Sequence, residues 1–129
     1  MLLTCVVDAV RMAAEDAAPF EACGLITADG FLVKCVNVAK DRARQFRISP
    51  DEFKLAGRRR KIVGVYHSHV NGGAYVSVHD RDGMSFEGLY VVASVMDGVG
   101  REVKVWNFKD GKFTPVTVPG RQTANGKQD

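Results

Sequence analysis

The segment that most constrains the fold is the nearly continuous apolar run LYVVASVM, residues 89–96. A strand with one face in water alternates polar and apolar residues, whereas a strand covered on both faces lacks that alternation. We therefore expect this run to form an interior strand of a sheet, with other elements packed over both sides. Such a sheet is typical of the layered folds that combine strands with helices.

Three helices are predicted, over residues 4–18, 50–60 and about 78–87. Each begins at or just after a hydroxyl residue of the kind that often serves as N-cap, namely Thr4, Ser49 and Ser77. The first helix has apolar residues at helical spacing and ends before Pro19, which cannot continue a helix. Proline is favoured in a first turn, so Pro50 supports the start of the second helix.

Five further strands are predicted, at residues 23–27, 31–38, 61–69, 101–108 and 113–118, with a short extended piece at 45–48. The first two flank Ala28-Asp29-Gly30, where an Asp-Gly pair permits the positive φ of a tight turn, so we expect a β-hairpin there. Residues 109–112 join the last two strands. Strands and helices together predict a single mixed β-sheet flanked by helices, an α/β (α+β) fold.

The length of 129 residues is that of one domain, and it suffices to enclose one hydrophobic core. We expect this domain over residues 1–119 and a mobile polar tail over residues 120–129. No run approaches the roughly 20 apolar residues that span a bilayer, and Asp8 and Arg11 interrupt the N-terminus too early for a signal peptide. The expectation is a cytoplasmic protein without a membrane partner.

The net charge of +3 is mildly basic, and the basic residues cluster at Arg58–Lys61 and, shortly before, at Arg42, Arg44 and Arg47. Aromatic residues are not interleaved with these charges, so nucleic acid is not an expected partner. A solvated helix end and strand face is the favoured interpretation. A patch that receives an acidic partner stays open as the alternative.

The three cysteines, Cys5, Cys23 and Cys35, are an odd number at spacings that fit no zinc knuckle. Their apolar surroundings are typical of small buried thiols in a reducing compartment. A nucleophilic Cys23 is an alternative, although no histidine or asparagine near it in the sequence supports that role.

The segment with the clearest chemistry is His67-Ser68-His69, followed after seven residues by Ser77 and after two more by Asp80. Residues two apart on a strand point to the same side, so His67 and His69 present two imidazoles on one face. Asp80 falls in the first turn of a predicted helix, where its carboxylate can aim at the strand end. Two imidazoles and one carboxylate are a usual ligand set for a catalytic zinc ion, so we predict one Zn2+ that keeps a bound water of lowered pKa.

Hydrolysis also needs a proton carrier and a donor to the oxyanion. Glu21, between the first helix and the first strand, is the candidate for carrying a proton from water to a leaving amine. The hydroxyl of Ser77 is the candidate oxyanion donor. Spacing alone does not place Glu21 near the metal.

The Glu-x-Cys-Gly segment at 21–24 and the His-x-His run that follows resemble the signature of the JAMM (MPN-plus) zinc metalloprotease family. In that family two histidines and an aspartate bind zinc, a glutamate is the general acid/base, and a serine stabilises the tetrahedral intermediate. All five positions are matched in order, at Glu21, His67, His69, Ser77 and Asp80. The resemblance implies an MPN-type domain, layered in a way similar to cytidine deaminase, and a compact bacterial or phage-type member.

The chain departs from the family pattern in two ways. Val70 and Val76 stand where proline often occurs, which bears on loop rigidity and substrate fit rather than on metal binding. The chain also lacks the long insertions with which eukaryotic members shape a ubiquitin-binding surface. Polyubiquitin is therefore not the expected substrate.

The resemblance implies a zinc-dependent peptidase or isopeptidase that hydrolyses an amide bond of a protein or peptide. The expected substrate is the C-terminus of a small ubiquitin-like sulfur carrier, bound as an added strand beside residues 61–69. The alternatives are a phage tail-assembly peptidase domain, a non-catalytic MPN-type scaffold, and a structural zinc site closed by His79 or a cysteine. The complete set of five residues argues against the scaffold, which has no need of them.

Overall fold

The computed structural model describes residues 2–75 and 86–118. This part of the chain contains two helices, α1 (Leu3–Ala17) and α2 (Pro50–Arg59). Its six strands are β1 (Cys23–Thr27), β2 (Leu32–Lys34), β3 (Ile62–Val70), β4 (Gly88–Met96), β5 (Val99–Lys109) and β6 (Lys112–Val116). Neither of the two helices in these residues has the length and apolar character needed to span a membrane.

All six strands belong to one sheet, in the order β2-β1-β3-β4-β5-β6. β3 and β4 run parallel, whereas the other neighbouring pairs are antiparallel. The predicted mixed sheet flanked by helices is therefore confirmed. β3 pairs with β1 on one side and with β4 on the other. The expectation that a substrate adds as a strand beside residues 61–69 is wrong, because strand addition needs an unpaired edge.

β4 is buried without a break from Tyr90 to Val95. Val91, Ala93 and Val95 belong to the core on one face of the sheet, and Tyr90 belongs to the core on the other face. The prediction that residues 89–96 form an interior strand is confirmed. The reason is that helices or strand-connecting segments cover both sides of this strand, so neither set of alternating side chains meets water.

α1 covers one face of the sheet with the residues that recur at helical spacing. Its buried side chains are Val6, Val7, Val10 and Ala14. They share a core with residues of the strands, namely Ile26, Tyr66, Val91, Ala93, Val95 and Val105. Full burial of one valine side chain stabilises the fold by about 1.5–3 kcal/mol, so this contact is a main source of the helix's stability.

The opposite face of the sheet packs under α2 and the segment that precedes it. The buried side chains there are Cys23, Leu25, Cys35, Val65 and Tyr90. The side chains that cover them include Phe46, Ile48, Phe53 and Ala56. Because side chains alternate along a strand, His67 and His69 continue the row of Val65 on this face. The histidine pair therefore lies on the side of the sheet away from α1.

The helix boundaries differ from the sequence prediction in three respects. The N-cap of α1 is Leu2, so the prediction that Thr4 caps this helix is wrong, and Thr4 lies within its first turn. Ser49 is the N-cap of α2 as predicted, but its side chain makes no capping hydrogen bond. The predicted helix at about 78–87 falls mainly on residues 76–85, which lie outside the described residues, and residues 86 and 87 belong to no helix.

Two predicted strands are shorter than expected or absent in the structure. The predicted strand 31–38 is limited to Leu32–Lys34, and residues 45–48 form no strand. The Cys35 N–H still donates to the Cys23 carbonyl oxygen of β1 at 3.0 Å. At residues 45–48, the Gln45 carbonyl oxygen and the Arg47 N–H bond to the side chain of Asn37. The predicted tail at 120–129 lies outside the described residues, so it stays a prediction.

Two hairpins turn on Asp-Gly pairs in which both residues have positive φ. Asp97 and Gly98 have φ of 52° and 79° between β4 and β5, and Asp110 and Gly111 have φ of 52° and 75° between β5 and β6. Such turns match the twist of antiparallel strands. Residues 97–98 are an Asp-Gly pair, like residues 29–30, so the sequence indicates a tight turn at both places.

Gly24 is a position in β1 where the sheet admits no side chain. A Cβ atom there would overlap the ring of Tyr66 and the carbonyl oxygen of Val33. Tyr66 is fully buried, so its ring cannot withdraw without disturbing the core beneath α1. Packing therefore accounts for the glycine of the Glu-x-Cys-Gly segment, which needs no chemical role at the site.

Gly24→Ala should lower the free energy of unfolding by about 1–3 kcal/mol, because the added methyl group overpacks a closed core. Urea unfolding followed by circular dichroism measures the effect. Gly57→Ala is the matched control, since it lies inside α2 and its Cβ would meet nothing within 4 Å. That change should stabilise the protein by about 0.5–1 kcal/mol through helix propensity. Equal stability of the two variants would contradict the packing argument.

Candidate metal centre

The C-terminal end of β3 brings two imidazole rings together. The Nε2 atoms of His67 and His69 lie 3.3 Å apart. His67 is fully buried and His69 is 8 % exposed. The sequence expectation that the two rings share one face of the strand is therefore met in the structure.

The orientation of each ring is set by neighbouring groups. The Nδ1 atom of His69 lies 2.8 Å from the carbonyl oxygen of Gly73. A carbonyl only accepts, so this contact places the proton of His69 on Nδ1 and leaves the Nε2 lone pair directed at His67. The ring of Phe46 stacks on His67 with centroids 4.3 Å apart, and the ring of Tyr75 meets the edge of His69. These contacts hold both rings in place.

The separation of the two rings fits a shared metal ion. Two nitrogen ligands at about 2.0–2.1 Å from a tetrahedral zinc stand roughly 3.3 Å apart, which is the distance between these Nε2 atoms. A backbone carbonyl on the far nitrogen of a histidine is also the usual support for a metal ligand. The donor set and its spacing therefore suit zinc, with Nε2 as the ligating atom of each ring.

The rest of the predicted ligand set lies outside the described part of the chain. Ser77 and Asp80 fall in residues 76–85, and His79 falls there as well. Within residues 2–75 and 86–118, no three His, Cys, Asp or Glu side chains form a group that could hold a metal. All three cysteines are in that part, so a cysteine does not complete a site with the two histidines. Of the fourth ligands considered for a closed structural site, only His79 stays open.

Glu21 is held by its backbone in the segment that leads into β1. Glu21 is buried, with 4 % of its surface exposed. The Glu21 N–H donates to the carbonyl oxygen of Arg42 at 2.7 Å. The Glu21 carbonyl oxygen accepts from Nδ2 of Asn37 at 3.1 Å. The loop at residues 37–47 therefore hydrogen-bonds to both the N–H and the carbonyl oxygen of Glu21.

Ser68, the residue between the two histidines, ties the Glu21 segment to β3. Its Oγ accepts the N–H of Ala22 at 2.8 Å, and its own N–H donates to the Ala22 carbonyl oxygen at 3.1 Å. Glu21 thus directly precedes a residue that is hydrogen-bonded to the strand carrying the histidines, although Ala22 and Ser68 are 46 positions apart in sequence. The sequence pattern did not predict this role of Ser68, whose one local signal is a hydroxyl between two candidate ligands.

Cys23 stands directly opposite His67 in the β1–β3 pair. Burial raises the pKa of the Cys23 thiol to about 12, with further contributions from Cys35, Glu52 and Glu21. Since the thiolate is the reactive form, the structure does not support a nucleophilic Cys23.

The basic cluster at the end of α2 has local roles. Arg60 pairs with Asp29 at 2.9 Å between Nη1 and Oδ2, and its guanidinium lies over the ring of Phe31. Arg58 and Arg59 fall in the last turn of α2, where the helix dipole favours cations. These contacts agree with the interpretation of a solvated helix end.

Residues 4–109 match the family described as prokaryotic homologs of the JAB domain. Among curated proteins, none is significantly similar to the chain in sequence.

Solved structures resemble the whole domain. A protein from Desulfitobacterium hafniense has a TM-score of 0.69 at 20 % identity, over 84 % of each chain. A protein from Salinibacter ruber has a TM-score of 0.63 at 27 % identity, over 88 % of this chain and 86 % of that one. A JAB1/MPN domain protein from Archaeoglobus fulgidus has a TM-score of 0.57 at 18 % identity, over 88 % of this chain and 91 % of that one. The fold is that of a JAB/MPN-type α+β domain.

Ser68→Ala should lower the free energy of unfolding by about 1–3 kcal/mol, because the buried N–H of Ala22 loses its acceptor. Hydrogen exchange should also become faster at the Ala22 amide than in the unaltered protein. Thr114→Ala, at an exposed position of β6, serves as the control and should change stability by less than about 0.5 kcal/mol. Unchanged exchange at Ala22 would refute the role of the Ser68 hydroxyl.

Thiol reactivity should separate the three cysteines. Burial raises the pKa values of both Cys23 and Cys35 to about 12, whereas Cys5 is exposed. At pH 8 only about one in 10⁴ of a thiol with such a pKa is ionised, so Ellman's reagent should titrate one thiol rapidly in the native protein and three after unfolding. Cys5→Ser should remove the rapid phase. A second rapid thiol in the native protein would show that one of the buried cysteines is accessible and ionised.

Proposed function

This chain belongs to the family of prokaryotic homologs of the JAB domain, and from that premise we propose that it is a zinc-dependent peptidase or isopeptidase of the JAMM type. The observation that carries the proposal is the histidine pair at the end of β3. Its Nε2 atoms are 3.3 Å apart, and the carbonyl of Gly73 fixes the proton of His69 on the opposite nitrogen. Any buried imidazole needs a hydrogen-bond partner, and what supports a metal here is that the two Nε2 atoms stand at the separation of two ligands on one zinc ion.

The proposed zinc ligands are His67, His69 and Asp80, the last from the segment after β3. Zinc bound there supplies Lewis acidity and lowers the pKa of water. Buried surroundings and fixed rings favour such a site, because ligands that are already in place lose little freedom when the metal binds.

Glu21 is the proposed general acid and base. Its carboxylate takes a proton from the attacking water as the C–O bond forms, and it gives that proton to the amine nitrogen as the C–N bond breaks. The hydroxyl of Ser77 is proposed to donate a hydrogen bond to the carbonyl oxygen of the substrate as negative charge develops. The tie between Ala22 and Ser68 supports this assignment, since it brings the Glu21 segment to the strand end that carries the histidines.

The proposed substrate is the C-terminal peptide of a small ubiquitin-like sulfur carrier. Cleavage beyond its terminal Gly-Gly would release the carboxylate on which thiocarboxylate chemistry proceeds. The interior position of β3 means that such a peptide would reach the site across the end of the strand rather than along its side. A phage tail-assembly peptidase would use the same chemistry on a different chain.

Glu21→Gln should lower kcat by about 10²–10⁴-fold and leave zinc bound, because a proton carrier is lost and no ligand is removed. His69→Ala should instead lose zinc and activity together. Zinc content by mass spectrometry and cleavage of a sulfur carrier extended beyond Gly-Gly measure the two effects.

The unaltered protein and the two variants together separate the peptidase from its alternatives. An unaltered protein that binds one zinc and hydrolyses none of a broad peptide pool would be a scaffold or a structural zinc domain. Unchanged zinc content in His69→Ala would contradict the ligand assignment, and unchanged turnover in Glu21→Gln would contradict the role of Glu21.

A further inference from the structure

We propose that Asn37 is a positioning residue whose side-chain amide fixes the place of Glu21 at the site. The catalytic part of this inference rests on the proposed function, whereas the structural part does not. Asn37 lies beyond the end of β2 and outside the motif that identifies the candidate metal centre.

The side-chain amide of Asn37 uses its full hydrogen-bonding capacity. Its Nδ2 donates to the carbonyl oxygen of Glu21 at 3.1 Å and to that of Gln45 at 2.9 Å, and the Arg42 carbonyl oxygen lies at a longer 3.5 Å. Its Oδ1 accepts from the N–H of Ala39 at 3.0 Å and from that of Arg47 at 3.1 Å. Two donors and two acceptor positions are all that an asparagine side chain offers. Aspartate has the same shape but cannot make the two donor contacts.

These bonds give the loop at residues 37–47 its shape. Within the loop, backbone bonds run from the Val38 N–H to the Arg47 carbonyl oxygen and from the N–H groups of Arg44 and Gln45 to the Asp41 carbonyl oxygen. The side chain of Asn37 joins further backbone groups of the loop, those of Ala39, Gln45 and Arg47. Regular secondary structure is absent from residues 37–47, so no ladder of backbone bonds would hold the loop if the amide were removed.

The loop in turn acts on Glu21 from both sides of its backbone. The Arg42 carbonyl accepts the Glu21 N–H at 2.7 Å, and Asn37 itself binds the Glu21 carbonyl oxygen. The same loop carries Phe46, which stacks on the ring of His67. A single amide therefore links the candidate proton carrier to the packing of a candidate zinc ligand.

Glu21 needs such support because it stands before the sheet begins. β1 starts at Cys23, and the backbone of β3 pairs with this segment as far as Ala22. A general base must come within hydrogen-bond reach of the proton it takes, and a misplacement of about 1 Å can cost about 10²-fold in rate. The backbone pairing between the strands stops short of Glu21, and the hydrogen bond from Asn37 holds the residue in its place.

The test uses Asn37→Asp, which keeps the shape and both acceptor contacts, and Asn37→Ala, which keeps neither. Asn107→Asp is the control for the change of charge, because it pairs with Leu89 at the end of the sheet away from the histidines. Hydrogen exchange at the Glu21 amide is measured in the metal-free full chain. We expect it to rise by about tenfold or more in both Asn37 variants and to stay unchanged in Asn107→Asp.

Activity is then compared in single and double variants on the extended sulfur carrier. We expect both Asn37 variants to lower kcat by about 10–100-fold, with KM and zinc content within about twofold of the unaltered protein. In a Glu21→Gln background, Asn37→Ala should add no further loss, because the group it positions is already gone. A residue that only stabilised the loop would reduce activity equally in both backgrounds.

The outcomes keep the two proposals apart. Unchanged exchange at the Glu21 amide overturns the positioning role whatever the activity. Equal, additive losses in both backgrounds overturn the catalytic part of the inference. Absence of any turnover in the unaltered protein overturns the proposed function, and the exchange measurement alone then decides whether Asn37 holds Glu21.

Discussion

The arrangement of the site depends on β3 being paired on both sides. A strand that is hydrogen-bonded to β1 and β4 cannot slide or twist freely, so the alternation of its side chains is fixed. Tyr66 then belongs to the core beneath α1, while His67 and His69 point to the other face. A shift of one residue would exchange these two sets and would place imidazoles against α1.

The pairing of β1 with β3 also determines where the Glu21 segment, which precedes β1, lies. Cys23 pairs with His67 and Gly24 pairs with Tyr66, and each pair restricts which side chain can stand in β1. The ring of Tyr66 excludes any side chain at position 24, and the apolar setting keeps the thiol of Cys23 protonated. The Glu-x-Cys-Gly segment thus combines one residue proposed for chemistry with two that serve packing.

The irregular part of the chain completes the site where the sheet ends. Loops cannot satisfy their backbone groups through a ladder, so side chains must do so. Ser68 and Asn37 meet that need at neighbouring points of the backbone, one at Ala22 and the other at Glu21. Solved structures with 18–27 % identity share the fold, which indicates that widely different sequences can form this sheet.

Periodicity in the sequence was enough to predict the mixed sheet, the two described helices and the common face of His67 and His69. Local geometry determines all three, because strand and helix repeats place side chains without reference to the rest of the chain. The tertiary structure alone decided that β3 lies inside the sheet, that the strand predicted over 31–38 ends at Lys34, and that Ser68 reaches Ala22. Those contacts join residues far apart in sequence, and no local repeat encodes which of two distant segments will meet.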